Sequence, residues 1–101
     1  MELTLKDRII LTTIFPKETS FEKMIIKRDI MKKIDITPEE VEKYEIVSSE
    51  KGVTWKIEGN TTTIEVELSE SEVNFIATIL KELSAQEKIT DELYDIYKLF
   101  V

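Results

Sequence analysis

The sequence predicts an α+β fold over residues 1–101 as a single domain, with three N-terminal helices, a β-hairpin and then two C-terminal helices. Apolar residues recur at helical spacing in separate segments, and each segment follows a Ser or Thr suited to cap a helix. The spacing changes to strict alternation over residues 53–57 and 64–68, which is typical of strands. Only two glycines and two prolines interrupt the 101 residues, so most of the chain is expected in regular structure.

Two long helices open the chain. Thr4 begins the first as a variant capping box, and Pro16 ends it because proline removes a backbone donor and restricts the preceding residue. Ser20 is the predicted N-cap of the second helix. Its inward face repeats at intervals of four residues, through Ile26, Ile30 and Ile34.

The third helix is predicted to be short, and its start is clearly marked in the sequence. Residues 37–40 read Thr-Pro-Glu-Glu, which places an N-cap, a proline at the first helical position and two carboxylates against the positive end of the helix dipole. The helix is expected to end near Tyr44, with Val41 and Tyr44 facing the core.

The alternating segments predict a β-hairpin. Val53–Ile57 and Ile64–Leu68 alternate, and Glu58–Thr61 between them has the composition of a turn. Glu45–Gly52 is a polar connection with room for a short extra strand. The predicted buried face of the hairpin consists of Val53, Trp55, Ile57, Ile64, Val66 and Leu68.

Two helices close the chain. Ser69–Glu72 forms a complete capping box, and the helix that follows runs to about Ser84. Thr90 begins the last helix, and its apolar side is formed by Leu93, Ile96, Tyr97 and Phe100. Tyr94 and Tyr97 are interpreted as core residues, with an interface role as the alternative.

The net charge of −7 is unevenly distributed. Residues 1–36 carry eight Lys and Arg against six Asp and Glu, whereas residues 37–101 carry six against fifteen. An acidic surface repels nucleic acid and anionic membranes over roughly 10 Å at ordinary ionic strength. Nucleic acid is therefore an unexpected partner unless a local basic patch overrides the net charge.

The chain contains no histidine and no cysteine, the side chains that most often act as proton shuttles, thiolate nucleophiles and transition-metal ligands. Glu65 and Glu67 lie about 7 Å apart on one strand, yet a face that alternates Thr, Lys and Glu is typical of a solvated hairpin. Other carboxylate pairs stand at helix starts, where they complement the dipole. We therefore predict no enzymatic activity, no cofactor and no metal site.

A basic cluster on the second helix and three hairpin residues are the candidate interaction surface. The cluster spreads around the solvated side of the helix, so a solvated face and a binding patch are both open interpretations. Trp55 is read as a core aromatic, with an interface anchor as the alternative. The candidate residues are Lys23, Lys27, Arg28, Lys32, Lys33, Trp55, Glu65 and Glu67.

The order of elements is that of a winged-helix domain, in which the third helix reads the major groove and the hairpin contacts the DNA backbone. Here the third helix would carry three Glu and one Lys, which does not suit phosphate contact. A winged-helix-like shape is therefore expected to bind protein.

Four segments carry a resemblance to known proteins: Leu3–Leu11, Pro16–Glu18, Thr54–Trp55 and Lys88–Phe100. In these the chain resembles a group of small phage and prophage proteins of uncharacterised role. The similarity spans most of the chain. It implies a phage or mobile-element setting, without an activity or any site residue.

These observations predict a small acidic intracellular interaction or accessory module, which binds a protein partner or a second copy of itself. The alternatives are a winged-helix-like nucleic-acid-binding regulator and an acidic inhibitor of a host nucleic-acid enzyme. Apolar runs of at most three residues are too short to cross a membrane. Charged residues at the start of the chain do not fit a signal peptide, so a cytoplasmic location without membrane contact is expected.

Overall fold

A computed structural model describes residues 1–101, and it is α+β, with five α-helices and two small antiparallel sheets. A short 3₁₀ turn, Ile57–Asn60, precedes the last strand. In chain order the elements are β1 (Glu2–Thr4), α1 (Leu5–Ile14), α2 (Phe21–Ile34), α3 (Pro38–Lys43), β2 (Val47–Ser49), β3 (Gly52–Thr54), β4 (Thr63–Glu65), α4 (Glu70–Ala85) and α5 (Asp91–Phe100).

The predicted helix starts are confirmed, because each helix begins at a Ser or Thr whose hydroxyl accepts a hydrogen bond from the backbone N–H three residues later. Capping of this kind satisfies a donor that has no partner within the helix. The five N-caps are Thr4, Ser20, Thr37, Ser69 and Thr90. Local hydrogen bonding therefore sets the starts of all five helices.

The predicted pairing of the hairpin strands is wrong. β3 pairs with β2, with Ser48 opposite Val53, so the predicted extra strand lies within the expected polar connection. Gly52 has φ +118°, a conformation that favours glycine, and it closes this hairpin. β4 pairs instead with β1, a strand that the sequence analysis did not predict, and Leu3 lies opposite Ile64.

Gly59 explains why Glu58–Thr61 is not a hairpin turn. This glycine is buried within the 3₁₀ turn, and a Cβ placed on it would lie 2.7 Å from Leu5 Cδ2 and 3.0 Å from Trp55 Cδ1. The segment therefore packs closely onto α1. Ile57 is 76% exposed and Val53 38% exposed, so the prediction that both are buried is also wrong, whereas Val66 is buried as predicted.

The main core joins β1, β4 and four helices, and α4 packs against both α2 and α5. Ile30 and Ile34 of α2 are fully buried in it, as their spacing predicted. A smaller apolar cluster forms where α1 meets α3, around Leu5, Ile9 and Tyr44. Val41 of α3 is exposed, which corrects the expectation that it faces inward. The buried residues of the main core are Leu3, Ile10, Leu11, Phe15, Ile30, Ile34, Val66, Ile76, Leu80, Leu93, Ile96 and Phe100.

Candidate interaction surface

Two of the five basic residues predicted on α2 are engaged in holding the fold together. Lys27 Nζ donates to the backbone oxygen of Pro16 at 2.8 Å, beyond the end of α1. Lys33 Nζ lies 2.5 Å from Glu72 Oε1 at the start of α4. The other three, Lys23, Arg28 and Lys32, are exposed and form no ion pair.

Glu72 is a structural carboxylate. It is buried, and it closes a capping box by accepting a hydrogen bond from the Ser69 backbone N–H at 2.8 Å. Burial by itself raises the pKa of Glu72, but hydrogen bonds from Lys33 and from the Ser69 backbone outweigh it and leave that pKa below its ordinary value. The Lys33–Glu72 pair therefore joins α2 to α4.

Arg28 and Lys32 share one shallow groove with two further cations. Lys17, Lys27, Arg28 and Lys32 line it, with Asp35 as the single carboxylate, and its volume is about 540 Å³. Met24 and Met31 form its apolar wall. A groove with four cations is a local reversal of charge on a chain of net charge −7. Lys17 was not predicted here, because it lies in the α1–α2 loop and only the tertiary fold brings it to α2.

Two large apolar side chains lie on the solvent side of α2. At 3.6 residues per turn, positions 21, 25, 28 and 32 fall on one line along the helix, opposite the buried Ile30. Phe21 is 77% exposed and Ile25 is 47% exposed. We call Phe21, Ile25, Arg28 and Lys32 the α2 outer face. The helical spacing of Phe21 and Ile25 relative to the core isoleucines is the signal in the sequence that identifies this face, which was not predicted.

A second mixed surface lies on α5. Positions 91, 95 and 98 fall on the side opposite the buried Leu93 and Phe100, and the carboxylates of Asp91 and Asp95 are exposed and form no ion pair. Tyr94 is 58% exposed, with Lys98 Nζ 5.4 Å from the centre of its ring. We call Asp91, Tyr94, Asp95 and Lys98 the α5 outer face. The core interpretation of Tyr94 is wrong, whereas Tyr97 is half-buried against the main core.

Trp55 lies outside both faces. It is half-buried against the small cluster around Leu5 and Tyr44, and its Nε1–H donates to Asn60 Oδ1 at 2.8 Å. Its neighbours and its hydrogen bond connect it to the 3₁₀ turn, so Trp55 is a half-buried residue at the edge of the small cluster and not part of the main core.

Glu65 and Glu67, the two carboxylates of the predicted interaction surface, are not equivalent. Glu65 Oε1 lies 2.7 Å from the amino group of Met1, whereas Glu67 is exposed and forms no ion pair. An acidic inhibitor would be expected to present Glu65, Glu67, Glu70 and Glu72 as one negative strip. Glu72 is buried and paired with Lys33, so the strip is interrupted at that residue.

No group of three or more carboxylates is arranged to hold a metal ion. None of the five helices combines the length and the apolar content needed to cross a membrane. Comparison of the chain with protein-family models, with curated protein sequences and with solved structures found no match.

Proposed function

We propose that the protein is a non-catalytic protein-interaction module and that its docking surface is the α2 outer face. The observation that carries the proposal is the exposure of Phe21 and Ile25 on the solvent side of the N-terminal half of α2. Exposed apolar side chains that lie together are characteristic of binding surfaces, and aromatic residues with arginine are enriched in the cores of interfaces. Arg28 and Lys32 continue the same line.

The charges around this face favour an acidic protein partner. Arg28 and Lys32 have no carboxylate partner within the chain, and Lys17 adds a third cation at the groove beside them. Complementary charge speeds association and selects the partner, while Phe21 and Ile25 would supply the buried apolar contact. The phage or mobile-element setting implied by the sequence resemblance belongs to the same proposal.

A nucleic-acid-binding regulator is the second candidate, and the basic groove is the observation that favours it. Against it, the winged-helix hypothesis takes the third helix as the one that reads the major groove, and the third helix here, α3, carries Glu39, Glu40 and Glu42. The two candidates differ in their response to substitution. DNA binding would require Arg28 and Lys32 and would tolerate Phe21→Ser, whereas protein docking requires both kinds of residue.

The proposal is tested by a photo-crosslinker on the α2 outer face. Benzoylphenylalanine replaces Phe21 in one variant and the exposed Lys81 of α4 in a control, and both proteins are irradiated in extract of the source cells. We expect discrete protein adducts from position 21, competed by excess unmodified protein and not by the variant Phe21→Ser/Ile25→Ser. Equal adducts from the two positions, or adducts with nucleic acid alone, would contradict the proposal.

A further inference from the structure

We propose that the partner of the α2 outer face is the α5 outer face of a second copy of this chain, docked antiparallel. The inference rests on the proposed function, because it takes the α2 outer face as the docking surface and names its occupant. It is carried by the match in charge and apolar content between two unpartnered faces of one molecule.

The two faces are complementary along their lengths. On α2 the apolar residues Phe21 and Ile25 lie in the N-terminal half, and the cations lie in the C-terminal half. On α5 the order is reversed, because the acidic residues lie in the first turns, and Leu99, which lies beside the α5 outer face, is exposed near the end. Antiparallel docking therefore places the acidic end of α5 against the basic end of α2, and Leu99 near the exposed apolar pair.

The spacing of the charges sets the register. Arg28 and Lys32 are four residues apart, as are Asp91 and Asp95, and four residues correspond to a rise of about 6 Å in each helix. With Asp91 opposite Lys32, Asp95 comes opposite Arg28. The next turn of α5 then brings Lys98 to the level of Ile25, one turn from the exposed Glu22.

The proposed contact joins two different patches, so it is heterologous. Such a contact forms a closed dimer only if it is made twice at once, and otherwise it extends into rings or chains. Either assembly grows with protein concentration. Because exposed ion pairs orient the contact, it weakens as the screening length falls from about 10 Å at ~0.1 M salt to about 3 Å at ~1 M.

Charge reversal on each face tests the inference by sedimentation velocity over a concentration series. At ~0.1 M salt we expect the average mass of the wild type to rise with protein concentration. At ~1 M salt the average mass should stay that of a monomer. Arg28→Glu/Lys32→Glu and Asp91→Lys/Asp95→Lys should each remain monomeric, because the two faces of each variant then carry like charge. An equimolar mixture of the two should associate, because every contact between the two variants joins opposite charges.

A matched control separates this contact from the effect of net charge. Lys51→Glu/Lys81→Glu changes the charge by the same amount as Arg28→Glu/Lys32→Glu, at exposed positions outside α2 and α5, and should associate like the wild type. Circular dichroism checks that each variant is folded. Asp95→Lys alone leaves the first residue of α5 unchanged and replaces the double variant if that variant does not fold.

Three results would overturn the inference: a wild type that is monomeric at every concentration, a mixture that fails to associate, or association that survives all the substitutions. A different set of results would overturn the proposed function. A monomeric protein that crosslinks from position 21 to a different protein removes the second copy as the occupant and leaves the docking surface standing. If the protein shows neither self-association nor position-specific adducts, the proposed function and the inference about the second copy are both overturned.

Discussion

Arg8 of α1 and Glu40 of α3 form a bidentate ion pair, with Nη1 2.6 Å from Oε2 and Nη2 2.9 Å from Oε1. Only 2% of the Arg8 side chain is exposed. Its Nε also donates to the backbone oxygen of Ile34 at 3.0 Å, and its Nη2 donates to that of Asp35. Carbonyls at a helix end lack partners within the helix. Arg8 therefore joins α1 to the end of α2 and the start of α3. These contacts fix the path of the chain between α2 and α3.

Replacing Arg8 should strongly destabilise the fold. Arg8→Ala leaves Glu40 and the last carbonyls of α2 without their donors, and breaking a buried ion pair from one side costs about 3–5 kcal/mol. Arg8→Lys should recover little, because an ammonium group cannot reproduce the planar bidentate geometry. Urea unfolding measures both variants, with Arg28→Ala on the exposed face as the control. A loss as small as that of the control would contradict this role.

The same ion pair predicts a loss of stability in acid. The hydrogen bond from Arg8 lowers the pKa of Glu40 from 4.5 to about 2, although burial opposes the shift. Because the pKa is lower in the folded state, the contribution is complete above pH 4.5 and disappears as the pH falls towards 2. It amounts to about 3 kcal/mol at neutral pH.

The measurement is the free energy of unfolding in urea at a series of pH values. Glu40→Gln should be less stable than the wild type at neutral pH, and the difference should shrink as the pH falls below the ordinary pKa of the carboxyl. Glu67→Gln, which changes an exposed carboxylate without an ion pair, is the matched control. Parallel curves for the wild type and Glu40→Gln would show that Glu40 does not carry this dependence.

Gly59→Ala should destabilise the protein by about 1–3 kcal/mol, as expected for overpacking a core. The added methyl group would lie 2.7 Å from Leu5 Cδ2 and 3.3 Å from Leu5 Cβ, and Leu5 is itself buried. Thermal unfolding gives the comparison, with the exposed neighbour Glu58→Ala as the control. A variant as stable as that control would mean that the 3₁₀ turn can move away from α1.

Phe21→Ser/Ile25→Ser should separate binding from stability. Both side chains are exposed, Phe21 more than Ile25, so the free energy of unfolding should change by less than about 1 kcal/mol, while association is lost. Ile30→Ser on the buried side of the same helix should instead destabilise the fold severely, because it opens a cavity and buries a hydroxyl. A large loss of stability from the outer-face variant would show that Phe21 and Ile25 serve the core.

The features predicted correctly from the sequence depend on residues that are close together in the chain. A cap such as Thr37 bonds within one helical turn, and the spacing of Ile30 and Ile34 identifies the buried side of α2 without knowledge of the partner. The pairing of Leu3 with Ile64 joins distant segments, and no local pattern distinguished it from a hairpin. Arg8 was missed for the same reason, because its partners lie on α2 and α3.

The proposed α2 outer face shares only Arg28 and Lys32 with the interaction surface predicted from the sequence. Charge alone identified Arg28 and Lys32, but it could not separate them from Lys27 and Lys33, whose partners come from other elements. Phe21 could have been found from its position opposite the buried isoleucines. The first acidic residues of α5 were predicted only as complements to the helix dipole, because a pattern within α5 carries no information about a contact with α2.

The most direct test is to map crosslinks within the purified protein. A mixture of nitrogen-15-labelled and unlabelled chains, each with benzoylphenylalanine in place of Phe21, is irradiated, and mass spectrometry identifies peptides that join the two labels. We expect one dominant link between chains, from position 21 to the Leu99 end of α5 on another copy. The absence of links between chains, or links scattered over the whole surface, would contradict it.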